Sequence, residues 1–202
     1  MMRRTSTTVA LAFLLPALSV SGEAAAQTLA PDMTSATTTA AAPARATGSA
    51  VCATPARAPF VPTRATVAHV GRNIAVYAVP TGGEPPLTTA GKAAFGWDKD
   101  APKPGSAYGN VRFTAHTYPD GSALGNRLLK RLHVGARIIL RGGSSALCYR
   151  VKRVKVTTPT RLGGYYSTIG KPKLAIVVCS GKRLGPGNWV NRTIWIARPS
   201  TS

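Results

Sequence analysis

Between residues 67 and 197 the chain places apolar side chains in short alternating runs, the pattern of half-buried strands rather than of helices. Strands are predicted over 67–79, 111–117, 136–141, 146–156, 174–180 and 193–197, with turn-rich stretches at 80–86, 102–105, 142–143, 163–164 and 185–187 between them. Within 147–151 the odd positions are apolar, and Arg150 and Lys152 point the other way. Beyond Arg153 the apolar phase moves to Val154 and Val156, which predicts a β-bulge in a bent, barrel-forming strand. Residues 174–178 are apolar without alternation, as expected of a strand buried on both faces. One helix is predicted where Leu124, Leu128 and Leu132 recur every four residues with Leu129 beside them, Arg127, Lys130 and Arg131 on the wet side and Gly135 as the stop. Many short strands and one helix point to an all-β fold, a closed or nearly closed barrel.

The pattern changes ahead of residue 67. Arg3 and Arg4 precede an apolar run over 9–20, and Ala24, Ala25 and Ala26 follow it, so 1–26 reads as a signal peptide. The run is shorter than the roughly 20 residues a membrane-spanning helix needs. Residues 27–66 are rich in Ala, Thr, Pro and Ser, stiffened by Pro31, Pro43, Pro55, Pro59 and Pro62, and read as a disordered stalk too poor in apolar surface to offset its ordering entropy. The predicted domain is 67–202. An exported protein is expected, secreted or associated with the cell envelope, or held at the outer face of the cytoplasmic membrane if the signal is retained.

Composition narrows the chemistry. The chain carries 26 Lys and Arg against 6 Asp and Glu, a formal charge of +20. The six carboxylates (Glu23, Asp32, Glu84, Asp98, Asp100, Asp120) are scattered, which argues against a carboxylate-dyad hydrolase or a metal site built from oxygen ligands. None follows Asp120, yet 16 basic residues do, so the C-terminal part must solvate its charge or meet an anionic partner. Export argues against nucleic acid as that partner, leaving anionic envelope polymers or a membrane surface. No cysteine or histidine pair has a metal-ligand spacing, and no cofactor is expected. His69 and His133, in a predicted strand and at a helix end, read as structural.

Three side chains carry candidate chemistry. Cys179 ends the apolar strand Leu174-Ala175-Ile176-Val177-Val178 and precedes a polar loop, an arrangement that presents a fixed thiol at a loop mouth. His116 ends the strand that follows Gly109-Asn110, just before the turn at Tyr118-Pro119-Asp120-Gly121. Arg192 opens the final strand after Trp189 and leads to Ile194 and Ile196. A thiol, an imidazole and a guanidinium at one barrel rim would suffice for acyl transfer; spacing alone leaves open an inert core cysteine and a solvated arginine.

In these pieces and their order (GNVRFTAHT, LAIVVC, and Trp189-x-x-Arg192 leading to Ile194) the chain resembles the sortases, the cysteine transpeptidases of Gram-positive bacteria. Around the histidine it is most similar to the actinobacterial class E and F types. The resemblance implies a sortase-type closed β-barrel of about eight strands with one or two short helices. It also implies Cys179 as nucleophile, His116 as general acid and base, and Arg192 as donor to substrate and oxyanion. The partners it implies are a sorting-signal peptide, cleaved between Thr and Gly of an LPxTG-like motif, and an amine of peptidoglycan or a pilin. Where family members carry threonines, this strand has Ala175 and Val178. The alternative reading is a noncatalytic barrel of the same fold that binds anionic polymers. Three cysteines allow three pairings; a Cys52–Cys148 bridge is expected, tacking the stalk to the domain and leaving Cys179 free, whereas a bridge through Cys179 would abolish thiol chemistry.

Overall fold

The alternating runs do form strands in the computed structural model, which describes Cys52 and residues 58–201. Eight strands result: β1 (Arg64–Val67), β2 (Gly71–Val79), β3 (Phe95–Asp98), β4 (Asn110–Ala115), β5 (Arg137–Gly142), β6 (Ser145–Thr157), β7 (Lys173–Gly185) and β8 (Asn188–Pro199). They close into a barrel in the order β1-β2-β3-β4-β7-β8-β6-β5. Two helices join them, α1 (Thr89–Lys92) and α2 (Leu124–Arg131).

The run at 67–79, expected as one strand, is a hairpin. His69 adopts φ 63°, the Val70 amide donates to the Val67 carbonyl at 3.1 Å, and β1 turns back on β2 with Arg64 opposite Ala75. His69 therefore sits in a turn rather than a strand, its ring 5.7 Å from that of His133. The expected export signal and most of the expected stalk lie outside the described residues. The boundary at 66/67 moves toward the N-terminus, because Phe60 is buried in the main core and β1 begins at Arg64. Cys52 is bridged to Cys148, which ties a segment 96 residues distant to the start of β6. Closing so long a loop constrains the unfolded chain and contributes about 2–4 kcal/mol of stability.

The expected bulge is present. Val151 pairs with Ala197 and Arg153 with Ile196, so Lys152 is the extra residue. Past it, Val154 and Val156 are exposed, because β6 there continues beyond the barrel's packed interior.

Leu124, Leu128 and Leu132 lie under the barrel core beside Phe95, Trp97, Phe113, Tyr149 and Trp195. The Trp195 indole donates to the Leu132 carbonyl at 2.9 Å, fixing the end of α2 to β8. Residues 174–178 are buried on both faces, inward against this core and outward against Tyr165 and Leu162 of the β6–β7 loop.

Close contacts fix both ends of β4. Asn110, at its start, is fully buried and its amide donates to the carbonyls of Gly164 and Tyr165, while the Tyr165 hydroxyl donates to the Phe113 carbonyl. The Gly-Asn signature thus pins the β6–β7 loop over β4. Just past its other end, Gly125 opens the way for α2, because a Cβ there would collide with the His116 carbonyl and the Thr117 hydroxyl.

Candidate active site

Registers bring together the three side chains singled out in the sequence. β4 and β7 run parallel with Ala115 beside Val178, so the next residue of each strand, His116 and Cys179, leaves the ladder side by side. β7 and β8 run antiparallel with Cys179 opposite Arg192. Registered neighbours share a sheet face, so thiol, imidazole and guanidinium gather at one end of one face. The strand order makes this possible, since β7 is inserted between β4 and β8.

Cys179 is half-buried and is the free cysteine. Burial pushes its thiol above the ordinary range; the Arg192 guanidinium pulls it down and the Glu84 carboxylate pushes it up. The Thr117 hydroxyl donates to the Cys179 carbonyl at 2.8 Å, tying the end of β4 to the nucleophile's strand. Val178 points into the barrel core and Ala175 packs under the β6–β7 loop, so neither position lost a hydroxyl from the cleft itself.

His116 is 5% exposed. Its Nε2 donates to the Pro85 carbonyl at 2.7 Å and its Nδ1 lies 3.3 Å from a Glu84 carboxylate oxygen. That segment is itself held in place: the Thr114 hydroxyl donates to the Gly83 carbonyl at 3.2 Å, and the Thr88 side chain caps α1. Lys92, at the end of α1, binds Asp120 at 3.0 Å and covers the Tyr118 ring.

The guanidinium of Arg192 is turned toward backbone, donating to the carbonyls of Trp189 and Asn191 at 3.2 and 3.0 Å. The four carboxylates among the described residues pair with other groups: Asp120 with Lys92, Asp100 with Lys99, Asp98 with Arg112 and Glu84 with His116. Among the described residues the guanidinium of Arg192 is thus held by carbonyls, which a ligand oxyanion can replace.

His116 and Cys179 line a cleft of about 420 Å³ together with Glu84, Tyr118, Arg183 and Trp189. Glu84 and Arg183 were not apparent from the sequence. Glu84 stood among turn residues, where a carboxylate is ordinarily solvated, and Arg183 was one cation among many. Their only sequence signal is position, one between predicted strands and the other four residues past the cysteine. No group of three His, Cys, Asp or Glu side chains able to hold a metal occurs among the described residues.

Because Glu84 disfavours the thiolate, Glu84→Gln is expected to raise the rate at which a neutral alkylating reagent labels Cys179 at pH 7, by about two- to threefold. The rate is read by mass spectrometry of quenched samples. A slower rate would mean that the carboxylate matters chiefly through its hold on His116.

Residues 66–200 match the family described as the sortase domain. A sequence comparison with curated proteins returns no match. Among solved structures, sortase C1 of Streptococcus agalactiae in complex with MTSET is similar at 18% identity and a TM-score of 0.51, over 67% of this chain and 65% of that one. The pilus-related sortase C of Group B Streptococcus matches at 18% identity and a TM-score of 0.53, over 68% and 66% respectively. Sortase A of Listeria monocytogenes matches at 18% identity and a TM-score of 0.51, over 68% of this chain and 85% of that one. The chain spans just under two thirds of the length of the two streptococcal structures. At such identities the likeness is one of fold.

Proposed function

The chain belongs to the sortase family, and from that premise we propose that it is a cysteine transpeptidase that cleaves an LPxTG-like sorting signal between Thr and Gly and passes the acyl group to an amine. The observation that carries this reading is the register that sets His116 beside Cys179 and Cys179 opposite Arg192. In the first half-reaction Cys179 attacks the threonine carbonyl carbon as the thiolate, with His116 carrying the proton. A carbon–sulfur bond forms, the peptide carbon–nitrogen bond breaks, and the leaving amine takes a proton from His116. In the second, an acceptor amine attacks the thioester, gives its proton to His116 and releases the thiolate. His116 performs either transfer by giving up one of its contacts with Glu84 and Pro85. Arg192 exchanges carbonyl partners for the oxygen that gains charge in each tetrahedral intermediate, a task suited to a permanently charged, multi-donor group.

The acceptor is an envelope amine, of peptidoglycan or a pilin subunit, and the protein works outside the cytoplasm. Export fits the leader-like 1–26 segment, and an oxidising compartment fits the Cys52–Cys148 bridge. The test is intact-protein mass spectrometry after mixing the full chain with a panel of sorting-signal peptides. A covalent acyl adduct on Cys179, discharged by added amine, is the expected result. If no peptide yields an adduct while a small thiol reagent still labels Cys179, the noncatalytic reading replaces this one.

A further inference from the structure

The cleft has a carboxylate wall that thiol chemistry by itself does not call for. In the strand order β3-β4-β7-β8, Glu84 contacts His116, His116 stands beside Cys179, and Cys179 stands opposite Arg192. The groups therefore run from a carboxylate on one side of the thiol to a guanidinium on the other, with the imidazole between carboxylate and thiol. An acyl group on Cys179 whose oxygen turns to Arg192 leaves the His116 side for the incoming nucleophile, and that is the side on which Glu84 stands.

Glu84 is firmly mounted there. The Gly83 amide donates to the Pro80 carbonyl at 2.8 Å, and the Gly83 carbonyl accepts from the Thr114 hydroxyl. On the other side of Glu84 the Pro85 carbonyl accepts from His116 Nε2, and Pro85 packs against β3 at Gly96, where a Cβ would come within 3.1 Å of the proline ring. The Glu84 carboxylate reaches His116 at 3.3 Å, yet the side chain is 53% exposed, so it also meets the solvent of the cleft. Of the described residues that line the cleft, it is the acidic one.

For thiolate formation this carboxylate is a burden. Burial raises the Cys179 thiol, Arg192 opposes the rise, and Glu84 adds to it. The second half-reaction reverses the sign of the interaction, because a primary alkylamine arrives at pH 7 as its ammonium. A fixed carboxylate is the complement of that cation, accepting charge-assisted hydrogen bonds from its N–H groups.

Resting on the transpeptidase reading, we propose that Glu84 is the docking site for the ammonium group of the acceptor, which it holds on the His116 side of the thioester. The acceptor sheds one proton to water to become the free amine, whose remaining N–H bonds still donate to the carboxylate. It then attacks the thioester carbon and gives a second proton to His116. The carbon–nitrogen bond forms as the carbon–sulfur bond breaks, leaving amide and thiolate.

The test follows how the acyl-enzyme of the full chain partitions between amine and water, using a peptide shown by mass spectrometry to acylate Cys179. One acceptor is Nα-acetyl-lysine amide, cationic at pH 7; the other is hydroxylamine, uncharged there. In Glu84→Gln the ratio of transfer to hydrolysis with subsaturating lysine derivative is expected to fall about five- to tenfold, through a higher KM for the acceptor, while the ratio with hydroxylamine changes less than about twofold. Water and amine attack the same thioester through the same imidazole, so a variant that merely misplaces His116 slows both and leaves the ratio unmoved. Asp100→Asn, an equal charge change outside the cleft lining, should leave both ratios in place. An equal fall with both acceptors, or an equal fall in Asp100→Asn, would overturn the docking site. Normal acylation with an unmoved lysine ratio in Glu84→Gln would overturn it too, leaving the transpeptidase reading intact. If no peptide acylates the parent protein, the transpeptidase reading fails and this assignment falls with it.

Discussion

Cys179→Ala is expected to abolish acyl transfer, lowering turnover of any cleavable sorting peptide by more than about a thousandfold, while the barrel still folds. The thiol sits where β7 leaves the closed ladder, half-buried and without a structural bond of its own. Removing one sulfur there empties little volume, so the melting temperature should hardly move. The peptide should still bind, because the cleft walls from Glu84, Tyr118, Arg183 and Trp189 are untouched. The measurement is paired: peptide cleavage by chromatography, and peptide affinity by fluorescence anisotropy. Retained cleavage would dismiss Cys179 as nucleophile outright, whereas loss of both cleavage and binding would point to damage in the cleft.

Arg192→Gln is expected to reduce kcat/KM by about a hundred- to a thousandfold, the cost of losing one oxyanion donor. It has a second signature that a purely structural role would not produce. Burial raises the Cys179 pKa, and Arg192 is the group that draws it back. The thiolate is therefore the minor form at neutral pH, and labelling by a neutral reagent should rise about tenfold per pH unit until the thiol has titrated. Without the guanidinium the pKa rises further, so that profile shifts to higher pH and labelling at pH 7 slows, the opposite of the Glu84→Gln effect. Arg183→Gln is the contrast: Arg183 lines the same cleft but is absent from the influences on the thiol, and its loss should leave the labelling profile in place. If Arg183→Gln moved the profile and Arg192→Gln did not, the two arginines would exchange roles.

The strands that carry chemistry were the easiest to read, and for a physical reason. The first half of β7 is buried on both faces and reads as an unbroken apolar run over 174–179, while β4 alternates Val111, Phe113 and Ala115 with Arg112 and Thr114, and each run ends just before a polar stretch. The bulge in β6 was legible because a phase change in the alternation has no other simple cause. β3 was missed: its four residues, Phe95-Gly96-Trp97-Asp98, are too few to show a period and are buried on all sides. The β1–β2 turn is hidden because its strained position is taken by a histidine at positive φ, and the single Gly71 that closes the hairpin two residues later is a weak signal by itself. In the site, Cys179, His116 and Arg192 could be named from strand ends, but their proximity depends on one parallel and one antiparallel pairing between segments far apart in the chain. Glu84 was beyond reach for the same reason, since its partner His116 is supplied by a strand that the local sequence does not mention.

The parallel β4–β7 pairing also bears on how the chain comes to be folded. Asn110 pairs with Lys173, and the chain between them holds α2, the β5–β6 hairpin and the β6–β7 loop, so the ladder closes a long loop. Closure of so long a loop is costly until all of its contacts are made at once, so topologies of this kind reach the native state in milliseconds to seconds rather than microseconds. The thiol and the imidazole lie on the two halves of that last seam. Until that pairing forms, nothing holds His116 beside Cys179 and there is no assembled site. A nascent or partly unfolded chain would therefore be inert toward its substrate, and competence would arrive in one step with the seam.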